Sequence, residues 1–210
     1  MPRVRRELRA GMDHVVRSDP RFAPVVGSVP CSIPTRRPPA SDFAALAESI
    51  LHQQLAGAAA AAIHRRFVAL FPDAVVTAAA VLAVPEEQLR GAGLSGNKAA
   101  SIRDLAGKVD AGAVRLDGIA RRHDADIVDE LVQVRGIGRW TAEMFLIFQL
   151  GRLDVWPVDD LGVQQGYGHL HGLTESPKRT AFDALGDRYR PYRSVAAWYC
   201  WRAADARPPR

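Results

Sequence analysis

A short glycine turn, Gly136-Ile137-Gly138, separates two apolar segments and most constrains how this 210-residue chain can fold. The segment before the turn repeats its apolar residues at helical spacing. The segment after it, Trp140 to Leu150, contains only three polar residues. Such periodicity indicates helices, and a helix that is apolar on nearly every side is a buried one. The sequence therefore predicts a helical hairpin over residues 125–150, with its second helix in the interior.

Helix signals recur along the rest of the chain, whereas strand signals do not. Residues 43–51 place apolar side chains at i, i+3, i+4, i+7 and i+8, after Ser41 or Asp42 as the capping residue. Further helices are predicted over 58–71, 77–84, 97–110 and 194–204, and from Asp160 and Ser176 onward. The prediction is an all-α protein. Residues 1–40 supply a short helix and a proline-rich connector within the fold, and residues 41–210 form the main domain.

Composition is compatible with a polyanionic partner. The formal net charge is +5, and only three of the 28 basic residues are lysines. A basic excess strengthens association with phosphate backbones, although a biased genomic base composition explains the arginines equally well. Two cysteines, Cys31 and Cys200, cannot supply the four thiolates of an iron-sulfur cluster and are expected to be free thiols. With no apolar run of signal-peptide or membrane-spanning length, a cytoplasmic protein without membrane contact is expected.

The glycine turn also suits contact with a phosphate group. Gly136 and Gly138 lack a Cβ atom, so the backbone there can approach another surface closely. The first turn of the following helix presents unpaired amides and the positive end of the helix dipole. A tight reversal between two helices explains the same glycines without any ligand. Asp159 and Asp160 follow beyond that helix, and the combination indicates chemistry on DNA.

The wider sequence carries a family resemblance. The segment Val-Arg-Gly-Ile-Gly-Arg-Trp-Thr-Ala at 134–142, followed by Pro-Val-Asp-Asp at 157–160, resembles the helix-hairpin-helix DNA glycosylase superfamily. Residues 50–55, 93–98 and 190–194 are similar to its 3-methyladenine DNA glycosylase II, or alkylbase, branch. The resemblance covers residues 41–204 and implies two helical lobes with the active site in the cleft between them. It further implies base excision repair: hydrolysis of the N-glycosidic bond of alkylated purines, such as 3-methyladenine or 7-methylguanine, flipped out of duplex DNA.

Within this resemblance, Asp160 is the catalytic candidate, because the family's catalytic residue lies where the loop enters the next helix. A carboxylate there stabilises the positive charge that develops on the deoxyribose, or orients the attacking water. Helix capping alone is the other explanation for Asp160. Bifunctional relatives carry a lysine at the position of Trp140, and its amine forms a Schiff base. The resemblance therefore implies a monofunctional hydrolase that leaves an abasic site.

Recognition residues are also implied by the resemblance. Trp140 and Trp201 are expected to stack on the flipped base, with ordinary core packing as the alternative, and Met144 stands where the longer bacterial form has a pocket tyrosine. Six residues are expected on the DNA, four in the hairpin and two that could fill the space left by the flipped base: Gly136, Gly138, Arg139, Thr141, Gln54 and Leu55.

No metal site and no cofactor are expected, apart from a weakly bound alkali ion on the hairpin carbonyls, as in some relatives. His169-Leu170-His171 is interpreted as a solvated loop, because no carboxylate or thiol stands at ligand spacing. The expected partner is double-stranded DNA containing damaged bases, bound by a monomer. The alternative function is a non-catalytic helix-hairpin-helix DNA-binding module. A glycosylase for oxidised or mismatched bases is disfavoured by Trp140 and by the missing cluster cysteines.

Overall fold

The computed structural model describes residues 2–34, 38, 42–54, 57–175 and 177–206. Regular structure in these ranges consists of helices, with no strand, which confirms the predicted all-α class. Short 3-10 turns join the α-helices, which are α1 Pro2–Ser18, α2 Ala23–Ser28, α3 Asp42–His52, α4 Gly57–Val68, α5 Ala78–Ala83, α6 Glu86–Gly91, α7 Gly96–Asp110, α8 Asp124–Leu131, α9 Arg139–Phe148, α10 Leu161–Leu170, α11 Arg179–Gly186 and α12 Arg193–Asp205.

The chain divides into two compact units. One, called the terminal unit here, combines residues 1–36 with residues 146–210. The other, called the hairpin unit, comprises residues 37–145. No helix in the described ranges has the length and apolar character needed to cross a membrane. Both cysteines are free and buried, as expected, and burial raises the pKa of the Cys31 thiol to about 11.

Local sequence explains the helices of the hairpin unit. The buried face of α3 carries the apolar residues that the sequence periodicity predicted there: Phe43, Leu46, Ala47, Ile50 and Leu51. Thr77 and Ser95 cap α5 and α7, because their hydroxyl oxygens accept hydrogen bonds from the amides of Ala80 and Lys98. Helix α6 is absent from the sequence-based predictions. It begins directly after a proline and has two glutamates in its first turn, a favourable start for so short a helix.

Helices α10 and α12 form the closest helix pair of the terminal unit. A Cβ atom built on Gly166 would lie 1.8 Å from the carbonyl oxygen of Cys200. One turn earlier, a Cβ atom on Gly162 would lie 2.9 Å from the Trp201 ring. Glycine at these two positions of α10 therefore allows α12 to approach to backbone contact. This approach brings the indole of Trp201 to the beginning of α10.

A buried carboxylate, Asp19, joins the N-terminal segment to the rest of the terminal unit. It accepts hydrogen bonds from His171 Nε2 at 2.6 Å and from the Tyr189 hydroxyl at 3.0 Å. The other ring nitrogen of His171 lies 2.8 Å from the Tyr167 carbonyl, and the imidazole stacks on the Tyr167 ring. The interpretation of residues 169–171 as a solvated loop is therefore wrong, because residues 169 and 170 belong to α10 and His171 is hydrogen-bonded to Asp19. Its carboxylate partner is 152 residues away in sequence, so local spacing could not reveal it.

We expect the replacement Asp19→Asn to lower the free energy of unfolding by about 3 kcal/mol, because it breaks a buried ionic hydrogen-bond cluster. Burial opposes ionisation of Asp19, but the hydrogen bonds from His171, Tyr189 and the Arg21 amide outweigh it and hold its pKa below 3.8. A depressed carboxyl pKa contributes stability above the unfolded-state pKa of about 3.9, and that contribution is lost as the pH falls further.

Urea denaturation at pH 7 and near pH 3 checks this expectation. The difference between wild type and Asp19→Asn is expected to shrink at the lower pH. The matched control is Asp13→Asn, which removes an exposed aspartate of α1 that forms an ion pair with Arg9. An equal loss in the two variants would show that the Asp19 cluster contributes no more than a surface ion pair.

Candidate active site

Asp160 lies at the junction between the loop that follows α9 and the N-terminus of α10. Its backbone is extended, and its side-chain Oδ1 accepts a hydrogen bond from the Val163 amide at 2.9 Å, which makes it the capping residue of α10. Only 7% of the residue is exposed. The capping hydrogen bond fixes the orientation of the carboxylate relative to the helix.

Trp201 provides a second donor to the same carboxylate oxygen. Its indole Nε1 lies 2.9 Å from Asp160 Oδ1, and the close approach of α12 to Gly162 makes this contact possible. The structure thus brings together two residues that were predicted for the site from separate segments. Trp201 is partly buried. Trp201 therefore orients the Asp160 carboxylate in addition to contributing to packing.

Phe148 is an aromatic neighbour of Trp201 that sequence reasoning missed. It is the last residue of α9, and its ring centroid lies 5.7 Å from that of Trp201, with the ring planes inclined by 31°. Two adjacent, tilted aromatic rings offer an apolar π-surface beside the Asp160 carboxylate. The helical periodicity of α9 was visible, but the neighbour of its last residue depends on the packing of α12.

Residues 190–194 hold the loop that leads to Asp160. Asp154 in this loop accepts hydrogen bonds from Arg193 Nε at 2.8 Å and from Arg190 at 3.0 Å. The buried Ser194 hydroxyl oxygen accepts a hydrogen bond from the Val155 amide at 2.9 Å. These contacts explain why the segment matters although it lies far from Asp160 in sequence: it positions the loop rather than the carboxylate itself.

Asp159 has a different environment from its neighbour. Its carboxylate forms an exposed ion pair with Arg179, with a distance of 2.5 Å between Oδ1 and Nε. Asp160 is buried and lies against Trp201. Of the adjacent pair, only Asp160 combines burial with an aromatic neighbour and a helix N-terminus.

The hairpin turn depends on Gly136. This residue has φ of +79°, a backbone conformation that favours glycine, and a Cβ atom there would lie 2.8 Å from the Ser101 hydroxyl oxygen on α7. Its carbonyl accepts a hydrogen bond from Gln53 Nε2 at 2.8 Å. Gly138 has open space around it. The turn is therefore fixed against α7 and the end of α3, while its second glycine faces no heavy atom within 4 Å.

The first turn of α9 holds the remaining hairpin residues predicted on the DNA. Arg139 forms an ion pair with the buried Glu143 at 2.9 Å, and its side chain is 58% exposed. Thr141 is only 4% exposed, and its hydroxyl lies 3.5 Å from Gln53 Nε2. The Thr141 side chain is therefore buried, and a contact between this residue and DNA stays a prediction. The hydroxyl faces the interior of the hairpin unit because the third residue of α9 lies on its buried side.

Gln54 follows α3 in a backbone conformation with φ of +57°. Lys98 holds this turn from the side of α7: its ammonium donates to the carbonyls of Leu51 and Gln53. Burial lowers the pKa of Lys98. A cavity of about 400 Å³ lies beside the turn and is lined by Gln53, Gln54, Asn97 and Arg135, among others. Leu55, the other candidate for filling the space of a flipped base, lies outside the described residues.

Trp140 and Met144 lie on the part of α9 that belongs to the hairpin unit. Trp140 is 44% exposed, which is unusual for so large an apolar side chain and argues against a core role. Met144 is partly buried. No lysine is available at the Trp140 position to act as a nucleophile.

Comparison with known proteins shows the family of the chain. A family model described as HhH-GPD superfamily base excision DNA repair protein matches residues 47–191. The chain belongs to this superfamily. Schizosaccharomyces pombe DNA-3-methyladenine glycosylase 1 is 34% identical over 165 residues, which cover 76% of this chain and 71% of that protein.

Two solved structures extend the likeness of this HhH-GPD protein to nearly the whole chain. The S. pombe 3-methyladenine DNA glycosylase Mag1 in complex with abasic DNA has a TM-score of 0.78 at 30% identity, covering 92% of this chain and 95% of that one. A DNA-3-methyladenine glycosidase from Bacillus halodurans has a TM-score of 0.83 at 34% identity, covering 93% and 89%.

Proposed function

We propose that this HhH-GPD protein is a monofunctional DNA glycosylase that removes alkylated purines from double-stranded DNA and leaves an abasic site. One observation carries the proposal: the buried Asp160 carboxylate is held by the Val163 amide and the Trp201 indole beside an aromatic surface. The names of its relatives agree with this activity, and one of those relatives is bound to abasic DNA.

In the proposed reaction, the bond between C1′ of the deoxyribose and the purine nitrogen breaks, and its electron pair goes to the base. An alkylated purine carries a positive charge on its ring, so it leaves as a neutral molecule and needs no strong general acid. The sugar becomes oxocarbenium-like. The Asp160 carboxylate stabilises this cation electrostatically, and water adds to C1′ with loss of a proton, for which Asp160 is the acceptor.

The aromatic residues supply selectivity in this proposal. A base flipped from the duplex loses its stacking and pairing at a cost of a few kcal/mol. Stacking on Trp201 or Trp140 returns about 1–3 kcal/mol, and a cationic base gains more through cation–π attraction. Met144 offers less π-surface than an aromatic residue, which favours bases that bind through charge over those that depend on stacking alone.

The hairpin supplies sequence-independent affinity. Gly138 leaves the backbone accessible, and the N-terminus of α9 together with Arg139 favours a phosphate group. Gln54 is the candidate for occupying the space that the flipped base leaves. The turn that contains it is held by hydrogen bonds from Lys98 to the carbonyls of Leu51 and Gln53. The protein acts as a monomer in this proposal, and any alkali ion on the hairpin carbonyls serves phosphate binding only.

Strand integrity tests the proposed function and its monofunctional character. A duplex with a single 7-methylguanine is incubated with the protein, and half of each sample is heated in alkali. We expect more cleavage at the modified position after alkali than in an enzyme-free sample, and no cleavage without alkali, because Trp140 provides no amine for a Schiff base. Borohydride added during the reaction is expected to trap no protein–DNA adduct. Cleavage without alkali, together with such an adduct, would contradict the proposal.

A further inference from the structure

Three side chains of metal-ligating types lie close together on the hairpin unit, and none of them belongs to the candidate active site described above. Glu48 and His52 are four residues apart on α3, and this spacing places them on one face of the helix. His64 lies on α4, and its ring stands edge-on to that of His52, with the centroids 5.9 Å apart. One ligand atom from each of the three residues lies within 4.8 Å of the other two.

These side chains have no competing polar partner in the described part of the chain. Glu48 forms no hydrogen bond or ion pair there, and the two imidazoles have only each other as a ring contact. His52 is exposed, whereas Glu48 and His64 are partly buried. A carboxylate and two histidines without other bonds are available for binding, and the exposure of His52 leaves its ring able to rotate.

The donor set selects the kind of ion. Two imidazole nitrogens and one carboxylate oxygen suit a divalent transition metal, above all Zn²⁺, whereas Mg²⁺ and Ca²⁺ prefer oxygen ligands. A tetrahedral ion with bonds of about 2.0–2.1 Å needs ligand atoms roughly 3.4 Å apart. The three ligand atoms lie within 4.8 Å of one another, so ion binding requires the side chains of His52 and Glu48 to move closer together.

We propose that Glu48, His52 and His64 bind one Zn²⁺ ion, with water in the fourth position, and that the ion fastens the end of α3 to α4. Both helices border the turn that contains Gln53 and Gln54. The site shares no residue with the proposed active site and is independent of the proposed base-release activity. Because all three ligands come together only in the folded chain, binding also raises the thermal stability of the protein.

Calorimetric titration of Zn²⁺ into the metal-stripped full-length protein tests the site. We expect a saturable event of one ion per chain that Mg²⁺ and Ca²⁺ do not reproduce, and a higher Tm in the presence of Zn²⁺. The variants His64→Gln and Glu48→Gln are each expected to weaken this event at least about tenfold. The matched control is His169→Gln, which removes an exposed histidine of α10 and should leave Zn²⁺ binding unchanged.

Two results would overturn the proposal: no saturable Zn²⁺ binding by the wild type, or the same affinity in the wild type and in both ligand variants. Thermal melting in the absence of metal verifies that each variant is folded. If His64→Gln does not fold, Glu48→Gln decides, because it replaces a partly buried carboxylate with an amide of similar size. Neither result bears on base release, so failure of the metal site is distinguishable from failure of the proposed function.

Discussion

The replacement Asp160→Asn is expected to lower the single-turnover rate of alkylated-base release by about 10²–10⁴-fold. Asparagine retains a side-chain oxygen that can accept the hydrogen bonds from the Val163 amide and the Trp201 indole. The cap and the packing of α12 therefore stay in place, and the change removes mainly the negative charge. Without that charge, the cation developing on the sugar loses its stabilisation. Quenched-flow release of a labelled base, with protein in excess over DNA, measures the effect.

Asp159→Asn is the matched control for this variant. It makes the same chemical change at the adjacent position, but it removes only an exposed ion pair with Arg179. A release rate near that of the wild type is expected, because exposed ion pairs contribute little. Affinity for abasic DNA should be similar in all three proteins. Equal rates for Asp160→Asn and the wild type would show that Asp160 is only a helix cap. Loss of activity in Asp159→Asn alone would show that Asp159, and not Asp160, is the catalytic residue.

The second large effect is expected from Gly166→Ala, which should lower the free energy of unfolding by about 3 kcal/mol. The added methyl group would lie 1.8 Å from the backbone oxygen of Cys200, and a backbone atom cannot move aside as a flexible side chain can. Helix α12 must shift away from α10 as a whole. For a domain of this size, the loss corresponds to a decrease in Tm of roughly 6–12 °C. Thermal melting followed by circular dichroism measures it.

Gly107→Ala provides the matched control, because it makes the same substitution in α7 where the new Cβ atom meets no heavy atom within 4 Å. The free energy of unfolding of this variant is expected to increase by about 0.5–1 kcal/mol, because alanine has a higher helix propensity than glycine. Displacement of α12 in Gly166→Ala also moves Trp201 away from Asp160, so its base release should fall at temperatures where the variant is still folded. A Gly166→Ala protein as stable and active as the wild type would contradict the close packing of the two helices.

The all-α class and the positions of most helices could be predicted from the sequence because they depend on local patterns. The buried face of α3 and the caps Ser95 and Asp160 follow from periodicity and side-chain chemistry within one or two turns, whereas Thr77, predicted as the first residue of a helix, caps α5. Helix α6 is too short for a periodic pattern. Helix α1 extends over 17 residues, longer than the short helix expected there, and at that end of the chain the sequence gives no clear stop before Ser18.

The site was only partly predictable, because its contacts join distant parts of the chain. Asp160 and Trp201 were predicted through the family resemblance, but their hydrogen bond spans 41 residues and depends on the glycines of α10. Phe148 and the Asp19–His171 contact carry no local signal at all. Thr141 is assigned to the DNA from its place in the hairpin, but the burial of its side chain depends on the packing of α9 and carries no local signal. The three ligands of the proposed Zn²⁺ site come from two helices and match no contiguous motif.

The most direct test of the account is chromatography of the bases that the wild-type protein releases from duplex DNA treated with a methylating agent. We predict free 3-methyladenine or 7-methylguanine in the soluble fraction, increasing with time, while unmodified adenine and guanine stay in the DNA. Tight binding to the methylated duplex with no base released would contradict the account and would indicate a DNA-binding module.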